Sequence, residues 1–360
     1  MKKPLPIVVE GEVKGLLTGF RAGGVPSPVR YWYSAGLQLR NGRKAWAGDD
    51  RDIEAYIRSN RDAHQAAGMK PYADLLAKND WKGKAWVICG SGPSLQIEGH
   101  RHIRMTNPDT ETVVWTAING ALRFMCPHIF FALDRHCDPR WWTGSQDCSE
   151  EFRPHLVAAP MVDARILDAN WKSRHYFYTT STNCETEEFL NLGWLESCKV
   201  TIFSAMDFAA RAGAERIILL GADCMVGADG KQHWYSPRTD PRPLMRQGFV
   251  CVEGLNGSKG WVDHEYYHTA TILEAGAQVI ETEKRIPVFN ASERGLLDLG
   301  PERTMPLADA LKYPNPFAAE GSTNGTGTDH DILRPETVLS GPRVQRRLDQ
   351  RNPQPGAVGS

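Results

Sequence analysis

Short, continuously apolar segments recur along the middle of the chain and predict the strands of a buried sheet. The first, residues 86–89, stops abruptly at the turn Gly90-Ser91-Gly92-Pro93-Ser94. Segments that are hydrophobic at every position are typical of parallel strands covered on both faces. The later predicted strands are 112–116, 128–133, 156–159, 175–178, 216–220 and 278–281.

Helical patterns alternate with these strands. The segments 203–212 and 266–275 carry apolar residues at helical spacing, and they stop at Gly213 and Gly276, a favoured residue type just after a last helical turn. Alternation of strands and helices predicts an α/β protein, with a Rossmann-like, mostly parallel sheet and helices on both faces.

The two ends of the chain have other patterns. Residues 1–48 are rich in β-forming and aromatic residues around Asn41-Gly42, which predicts a small β-hairpin extension. Residues 49–84, with Asp49 or Asp50 as a cap, predict a helical lead-in to the Rossmann-like domain at 85–316. Residues 317–360 are rich in Gly, Ser, Thr and Pro and end in several arginines, which predicts a flexible, disordered basic tail.

Composition and charge narrow the class of protein. With 360 residues, a hydrophobic fraction of 41% and a net charge of −1, the chain can bury a full core and has no overall charge suited to nucleic acid. No apolar run reaches bilayer length and the N-terminus lacks a secretory pattern, so we expect a cytoplasmic protein without a membrane span. The eight cysteines include no Cys-x-x-Cys pair, which favours mostly reduced thiols, and the oligomeric state stays open.

The glycine-rich turn is the first candidate for chemistry. Gly90 and Gly92 permit a tight turn, and a helix that opens at Ser94 would direct free N–H groups toward an anion, usually a phosphate. A P-loop requires a lysine that is absent here, and the dinucleotide fingerprint requires glycine where Leu95 stands. A plain strand-to-loop connection is the alternative interpretation.

Polar residues also follow several other predicted strands. Asn119, Asp134, residues 181–183 and Asp223 all stand at strand ends, which is where open α/β sheets bind ligands. Asp, Asn and Gly also favour turns and helix caps, so both interpretations stay open for each residue. The long segment 225–263, with His233 and several arginines, has the length of a lid or binding loop.

The order of these features resembles one superfamily, which contains the 6-hydroxymethylpterin diphosphokinase-like proteins, the motility accessory factor glycosyltransferases of flagellins and the bacterial lipooligosaccharide sialyltransferases. The resemblance is carried by residues 87–95, 119–120, 131–134, 216–223 and 287–292 and covers about 86–299. It implies a Rossmann-like fold that holds a nucleotide or nucleotide-sugar. The ligand residues implied by it and by the strand ends are Gly90, Ser91, Gly92, Ser94, Asn119, Thr201 and Asp223.

The chain also departs from the sialyltransferases in this superfamily. They hold the departing phosphate with two tyrosines after the Gly-x-Asp, where this chain has Met225 and His233-Trp234. Their histidine base precedes the last helix, close to His264, with His268 a turn later. At the position of Asp134, the sialyltransferases look to have an asparagine near the donor. A carboxylate at this position better suits a diphosphate bound to Mg²⁺.

These observations lead to three functional hypotheses. The first is a glycosyltransferase-like enzyme that moves a group from a nucleotide-sugar donor to a hydroxyl of a glycan, a protein or a modified nucleic-acid base, with His264, His233 and Asp134 as catalytic candidates. The second is a diphosphokinase that uses ATP and Mg²⁺, held at Asp134, on a small heterocyclic alcohol. The third is a non-catalytic binding or assembly protein on the same fold.

Overall fold

The structure is a computed structural model, and it describes residues 5–9, 12–17, 19–21, 25–27, 59–60, 62–79, 81–95, 112–134, 139–143, 148–160, 162–177, 195, 200–240, 244 and 247–317. Four predicted features lie outside these residues: the hairpin around Asn41-Gly42, the helix start at Asp49 or Asp50, the segment 181–183, and the tail from 318 onward.

Eight parallel strands form the central sheet. They are β5 (Lys70–Pro71), β6 (Ala85–Cys89), β7 (Val113–Ile118), β8 (Ile129–Ala132), β9 (His155–Ala158), β10 (Ser173–Tyr176), β11 (Arg216–Leu220) and β15 (Val288–Asn290). Their order is β15-β11-β6-β7-β8-β9-β10-β5. The chain runs outward from β6 to β10 and then returns to β11 on the other side of β6, so the strand order reverses beside the glycine-rich turn.

Burial explains why these segments form strands. Every residue of β6, β7, β8 and β11 is buried, as the continuous apolar runs predict for strands covered on both faces. Trp86 in β6 is fully buried, and its indole N–H donates to the Thr116 hydroxyl of β7 over 2.7 Å. The Rossmann-like α/β fold is confirmed.

In the described part of the chain, the α-helices beside the strands include α1 (Tyr72–Lys78), α2 (Pro139–Thr143), α3 (Thr201–Arg211), α4 (His264–Val279) and α5 (Leu307–Lys312). Helix α3 packs on β6, β7, β8 and β11, and Phe208 on its buried face makes an edge contact with Trp86 at a centroid distance of 5.8 Å. Gly213 follows α3 with φ +74°, so the predicted end of this helix is confirmed.

Two predictions near α4 are wrong. The helix does not stop at Gly276 but continues to Val279, and residues 278–281, predicted as a strand, form the end of α4 and a π-helical turn at Ile280–Lys284. A Cβ on Gly276 would overlap the Phe203 ring of α3, so this glycine lets two helices approach closely. The left-handed residue after the π-turn is Arg285, at φ 57°.

A second sheet contains the N-terminal strands. Strands β1 (Leu5–Val9), β2 (Glu12–Leu17), β12 (Val226–Gly227), β13 (Val250–Glu253) and β14 (Lys259–Val262) are antiparallel in the order β12-β14-β13-β1-β2. Strands β3 (Gly19–Arg21) and β4 (Val25–Ser27) form a separate pair. The segment 225–263, expected to be a lid or loop, thus supplies three strands of this sheet, while the predicted domain boundaries stay predictions.

Two further features bear on the sequence analysis. Cys126 and Cys148 form a disulfide, whereas Cys89, Cys224 and Cys251 are free thiols, so the described cysteines are mostly reduced but include a pair that spacing did not predict. In the part of the chain that the structure describes, no helix combines the length and the apolar character needed to cross a bilayer.

Candidate active site at the glycine-rich turn

The glycine-rich turn lies against the turn that follows β11. The Gly90 N–H donates to the Leu220 carbonyl over 2.7 Å, and the Gly92 N–H donates to the Gly221 carbonyl over 2.9 Å. A Cβ on Gly90 would come within 2.6 Å of the Gly221 carbonyl oxygen, and a Cβ on Gly92 would overlap the Asp223 carboxylate. Both glycines are therefore required for the two turns to meet.

Ser94 and Asp223 hold these turns together. One Asp223 carboxylate oxygen accepts from the Ser94 N–H over 3.0 Å and from the Ser94 hydroxyl over 2.8 Å. Burial raises the pKa of Asp223 to about 6, against the lowering effect of these two bonds and of Arg294, whose Nε lies 4.0 Å away. Both residues are buried beneath the turn, and their predicted ligand roles stay predictions.

A cleft of about 370 Å³ opens above the turn, at the carboxyl edge of the central sheet. Five of the predicted site residues line it together: Gly90, Ser91, Asn119, Asp134 and Thr201. The opposite wall comes from the segments around β13, β14 and the start of α4. Its polar residues, which sequence analysis did not select, are Gln232, Asp263, Glu265, Tyr266 and Thr269.

Asn119 is the residue in this cleft with an unmet bonding capacity. It follows β7 in a left-handed conformation at φ 51°, and its Nδ2 donates to the Asp134 carboxylate over 2.9 Å. Its Oδ1 is buried and accepts from no group in the described part of the chain. A buried acceptor without a donor costs about 1–3 kcal/mol, so a ligand that supplies a donor or a cation there would be stabilised.

The first backbone N–H groups of α3 have no acceptor among the residues that the structure describes. Val200 precedes the helix without a side-chain cap, and the first N–H group with a backbone acceptor among the described residues is that of Phe203, which donates to Val200 over 3.0 Å. Thr201 and Ile202 both line the cleft. Unpaired N–H groups at the positive end of a helix dipole favour an anion.

Among the described residues of the lining, the side-chain charges are all negative. Asp134, Asp263 and Glu265 are carboxylates, and these described residues include no Lys or Arg. Asp263 caps α4, since its Oδ1 accepts from the Tyr266 N–H over 2.9 Å, and burial raises its pKa. Burial likewise raises the pKa of Tyr266 to about 12. The charges of the described lining therefore favour a cation alongside an anionic ligand.

The two predicted histidines occupy different positions. His233 stacks on Tyr235 at a centroid distance of 5.2 Å, its Nδ1 lies 3.4 Å from the Ser91 hydroxyl, and burial lowers its pKa. His264 is exposed at the first turn of α4 and stacks on His268 at 5.9 Å. Neither ring lines the cleft, and their catalytic roles stay predictions.

Comparison with known proteins adds one finding. A family model described as 6-hydroxymethylpterin diphosphokinase MptE-like matches residues 61–228, a segment that includes the glycine-rich turn, Asn119, Asp134, Thr201 and Asp223. No curated protein matches the chain. The family is one of transferase-type enzymes, and the resemblance that the sequence motifs carry is confirmed. The family resemblance therefore holds for residues 61–228, slightly less than half of the chain.

Proposed function

We propose that this protein transfers a diphosphate group from a nucleoside triphosphate to the hydroxyl group of a small heterocyclic alcohol, with Mg²⁺ as the counter-ion. The observation that carries the proposal is the acid-lined cleft around the unpartnered Asn119 Oδ1 at the glycine-rich turn. The family assignment supports it. The first hypothesis of the sequence analysis, transfer from a nucleotide-sugar, becomes the second candidate.

The oxygen donors of the cleft fit Mg²⁺. This cation prefers carboxylate and carbonyl oxygens, keeps several waters, and is commonly bound by one or two carboxylates together with substrate phosphates. Asn119 Oδ1 and the Asp134 carboxylate are such a pair, held together by the Asn119–Asp134 hydrogen bond. Among the described residues no cluster of three acidic, His or Cys ligands could hold a metal alone, which agrees with shared binding by protein and phosphate.

The chain's own groups would bind the phosphates and the acceptor. No side chain caps the start of α3, so the Thr201 and Ile202 N–H groups would be available to an anion. Bound Mg²⁺ would offset the negative charge of the lining. The acceptor oxygen would attack the β-phosphorus, forming a new P–O bond while the bond to the α-phosphate oxygen breaks. Asp134 and Glu265 are exposed carboxylates of the lining that can accept the hydroxyl proton.

One feature favours the second candidate. Thr201, only 7% exposed, lies at the uncapped start of α3, where its hydroxyl and N–H could hold the diphosphate of a nucleotide-sugar without a metal. The two candidates differ in their need for Mg²⁺, and that difference can be measured.

Thermal unfolding with added ligands separates the candidates. We expect ATP with Mg²⁺ to raise the melting temperature, ATP with a chelator to raise it less, and CMP-, UDP- and GDP-sugars to have little effect. Stabilisation by a nucleotide-sugar alone would refute the diphosphokinase proposal. Stabilisation by none of these ligands would favour a non-catalytic protein on the same fold.

A matched pair of variants localises the effect. Asn119→Ala removes the unpartnered Oδ1 and should abolish most of the shift with ATP and Mg²⁺. Asn256→Ala is the control, because Asn256 has nearly the same left-handed backbone, at φ 52°, and also donates its Nδ2 to one acceptor, but it does not line the cleft. An equal loss in both variants would contradict a ligand role for Asn119.

A further inference from the structure

A second cleft, of about 260 Å³, opens at the amino ends of β8, β9 and β10, on the edge of the sheet opposite the glycine-rich turn. We call it the histidine cleft and define it by His128, His155, Lys172, Arg153, Trp81 and Phe152, which line it. The proposed function uses none of these residues.

A chain of hydrogen bonds fixes which nitrogen of His155 carries the proton. The His175 Nδ1 lies 3.2 Å from the Pro71 carbonyl, which only accepts, so Nδ1 is the donor. The neutral His175 ring then accepts at Nε2 from the Ser173 hydroxyl over 2.7 Å. The Ser173 oxygen in turn accepts from His155 Nδ1 over 2.6 Å. His155 Nε2 is left as a bare acceptor.

His128 has the opposite arrangement. Its Nδ1 accepts from the Trp115 N–H over 3.0 Å, so the neutral ring carries its proton on Nε2. Neither Nε2 has a partner among the residues that the structure describes. Burial, followed by the charge of a nearby lysine, lowers the pKa of both His128 and His155 to about 4, so both rings are neutral near pH 7.

The histidine cleft therefore combines one fixed neutral donor, one fixed neutral acceptor and the positive charge of Lys172. Lys172 is exposed at its rim, and its charge acts on both rings. Arg153 adds a second cation that is paired with Glu150 at 3.7 Å. Glu151 is the carboxylate of the lining.

We propose that the histidine cleft binds a phosphate group that carries a hydroxyl, either as free hydrogen phosphate or as the monoanion of a phosphomonoester. Lys172 and the His128 Nε2–H would contact the anionic oxygens, and the His155 Nε2 would accept from the P–OH group. Sulfate has a similar size and shape but no proton at neutral pH, so its oxygen would face the bare lone pair of His155. The cleft should discriminate against sulfate for this reason.

Calorimetric titration of the full chain at about pH 6, where a phosphomonoester is partly protonated, tests the proposal, with inorganic phosphate, sulfate and glycerol 3-phosphate as the probes. We expect phosphate or glycerol 3-phosphate to bind about tenfold more tightly than sulfate, since only the protonated phosphates can donate a hydrogen bond to His155 Nε2, a difference of about 1.4 kcal/mol. Binding of glycerol 3-phosphate alone would identify a phosphomonoester site, and equal binding of both a site for the free group. Equal binding of sulfate, or no binding of any probe, would overturn the proposal.

Variants assign the binding to this cleft rather than to the glycine-rich turn. Lys172→Met should remove the phosphate signal, whereas Lys78→Met, which removes the same charge from an exposed residue outside the lining, should not. Asn119→Ala alters the other cleft and should leave the phosphate signal unchanged. Loss of the signal in Asn119→Ala with retention in Lys172→Met would show that phosphate binds at the glycine-rich turn and would overturn the proposal.

The role of the hydrogen-bond chain has its own measurement. Ser173→Ala removes the acceptor of the His155 Nδ1–H, so nitrogen NMR of labelled histidines should show His155 changing from the Nδ1–H form to a mixture of both neutral forms. The preference for phosphate over sulfate should fall in parallel. An unchanged His155 tautomer in a folded Ser173→Ala variant would contradict the chain of bonds, and an unchanged preference would contradict its role in selectivity.

Discussion

Replacing Asp223 by asparagine should remove a pH dependence of stability that arises because this carboxyl is buried beneath the glycine-rich turn. The folded-state pKa of this carboxyl is raised from the ordinary value of 3.8 to about 6, chiefly by burial. The folded protein therefore binds more protons than the unfolded chain between these two values, and stability falls as the pH rises through that window. The stabilising contribution is complete below about pH 4 and lost above about pH 6.

The size of the effect follows from the pKa difference. One pKa unit corresponds to about 1.4 kcal/mol. Raising the pKa of Asp223 from 3.8 to about 6 therefore destabilises the folded state by about 3 kcal/mol at neutral pH. About 2 kcal/mol of this should be lost between about pH 4.5 and about pH 7.5. Asp223→Asn cannot titrate, yet its amide oxygen can still accept from the Ser94 N–H, which the wild-type carboxylate does over 3.0 Å.

Urea unfolding at the two pH values provides the measurement. The difference in free energy of unfolding between wild type and Asp223→Asn should move by about 2 kcal/mol in favour of the variant as the pH is raised. Asp163→Asn is the control, because the Arg165 side chain lowers the pKa of Asp163 from 3.8. Its stabilisation is lost only below the two measured pH values, so the difference between this variant and wild type should stay nearly constant between them. A difference for Asp223→Asn that does not change with pH would refute the reasoning.

Three further predictions concern the frame of the site and are checked by urea unfolding. Gly92→Ala should destabilise the protein by about 3 kcal/mol, because its Cβ would overlap the Asp223 carboxylate and approach the Gly221 carbonyl to 2.6 Å. Trp86→Phe should lower the free energy of unfolding by about 3 kcal/mol, because it replaces a buried indole and leaves the Thr116 hydroxyl without its 2.7 Å hydrogen bond. Adding Thr116→Val removes that hydroxyl and should recover about 1 kcal/mol. Replacing Cys126 and Cys148 by alanine should lower the free energy of unfolding by about 3 kcal/mol without reductant, since the bridge spans 22 residues. With reductant present, the variant and wild type should be equally stable.

Each of these predictions has a result that would contradict it. An unchanged free energy of unfolding in Gly92→Ala would exclude crowding of the added Cβ against the Asp223 carboxylate. If Trp86→Phe combined with Thr116→Val is less stable than Trp86→Phe alone, an unpaired Thr116 hydroxyl is not the cause of the loss. Equal stability of the double alanine variant and wild type without reductant would exclude the Cys126–Cys148 bridge.

Local sequence patterns determined the strands and the glycine-rich turn. The runs that form β6, β7, β8 and β11 are apolar at every position because both faces of those strands are covered, a property that the one-dimensional sequence records directly. Gly90 and Gly92 likewise stand in the sequence because two turns must meet without side chains between them. The five predicted residues that line the cleft all lie in or just after this framework, or at the start of α3.

Only the tertiary structure decided the features that depend on distant neighbours. The run at 278–281 is too short for periodicity to separate a strand from a helix, and Gly276 serves the contact with Phe203 rather than the end of α4. Asp263 and Glu265 reach the cleft from the end of the second sheet. The sequence around them does not indicate that they line the same cleft as Asn119. The hydrogen-bond chain from Pro71 to His155 joins three separate strands. The sequence records which residues favour burial or a turn, whereas the pairing of polar groups across the sheet exists only once the chain has folded.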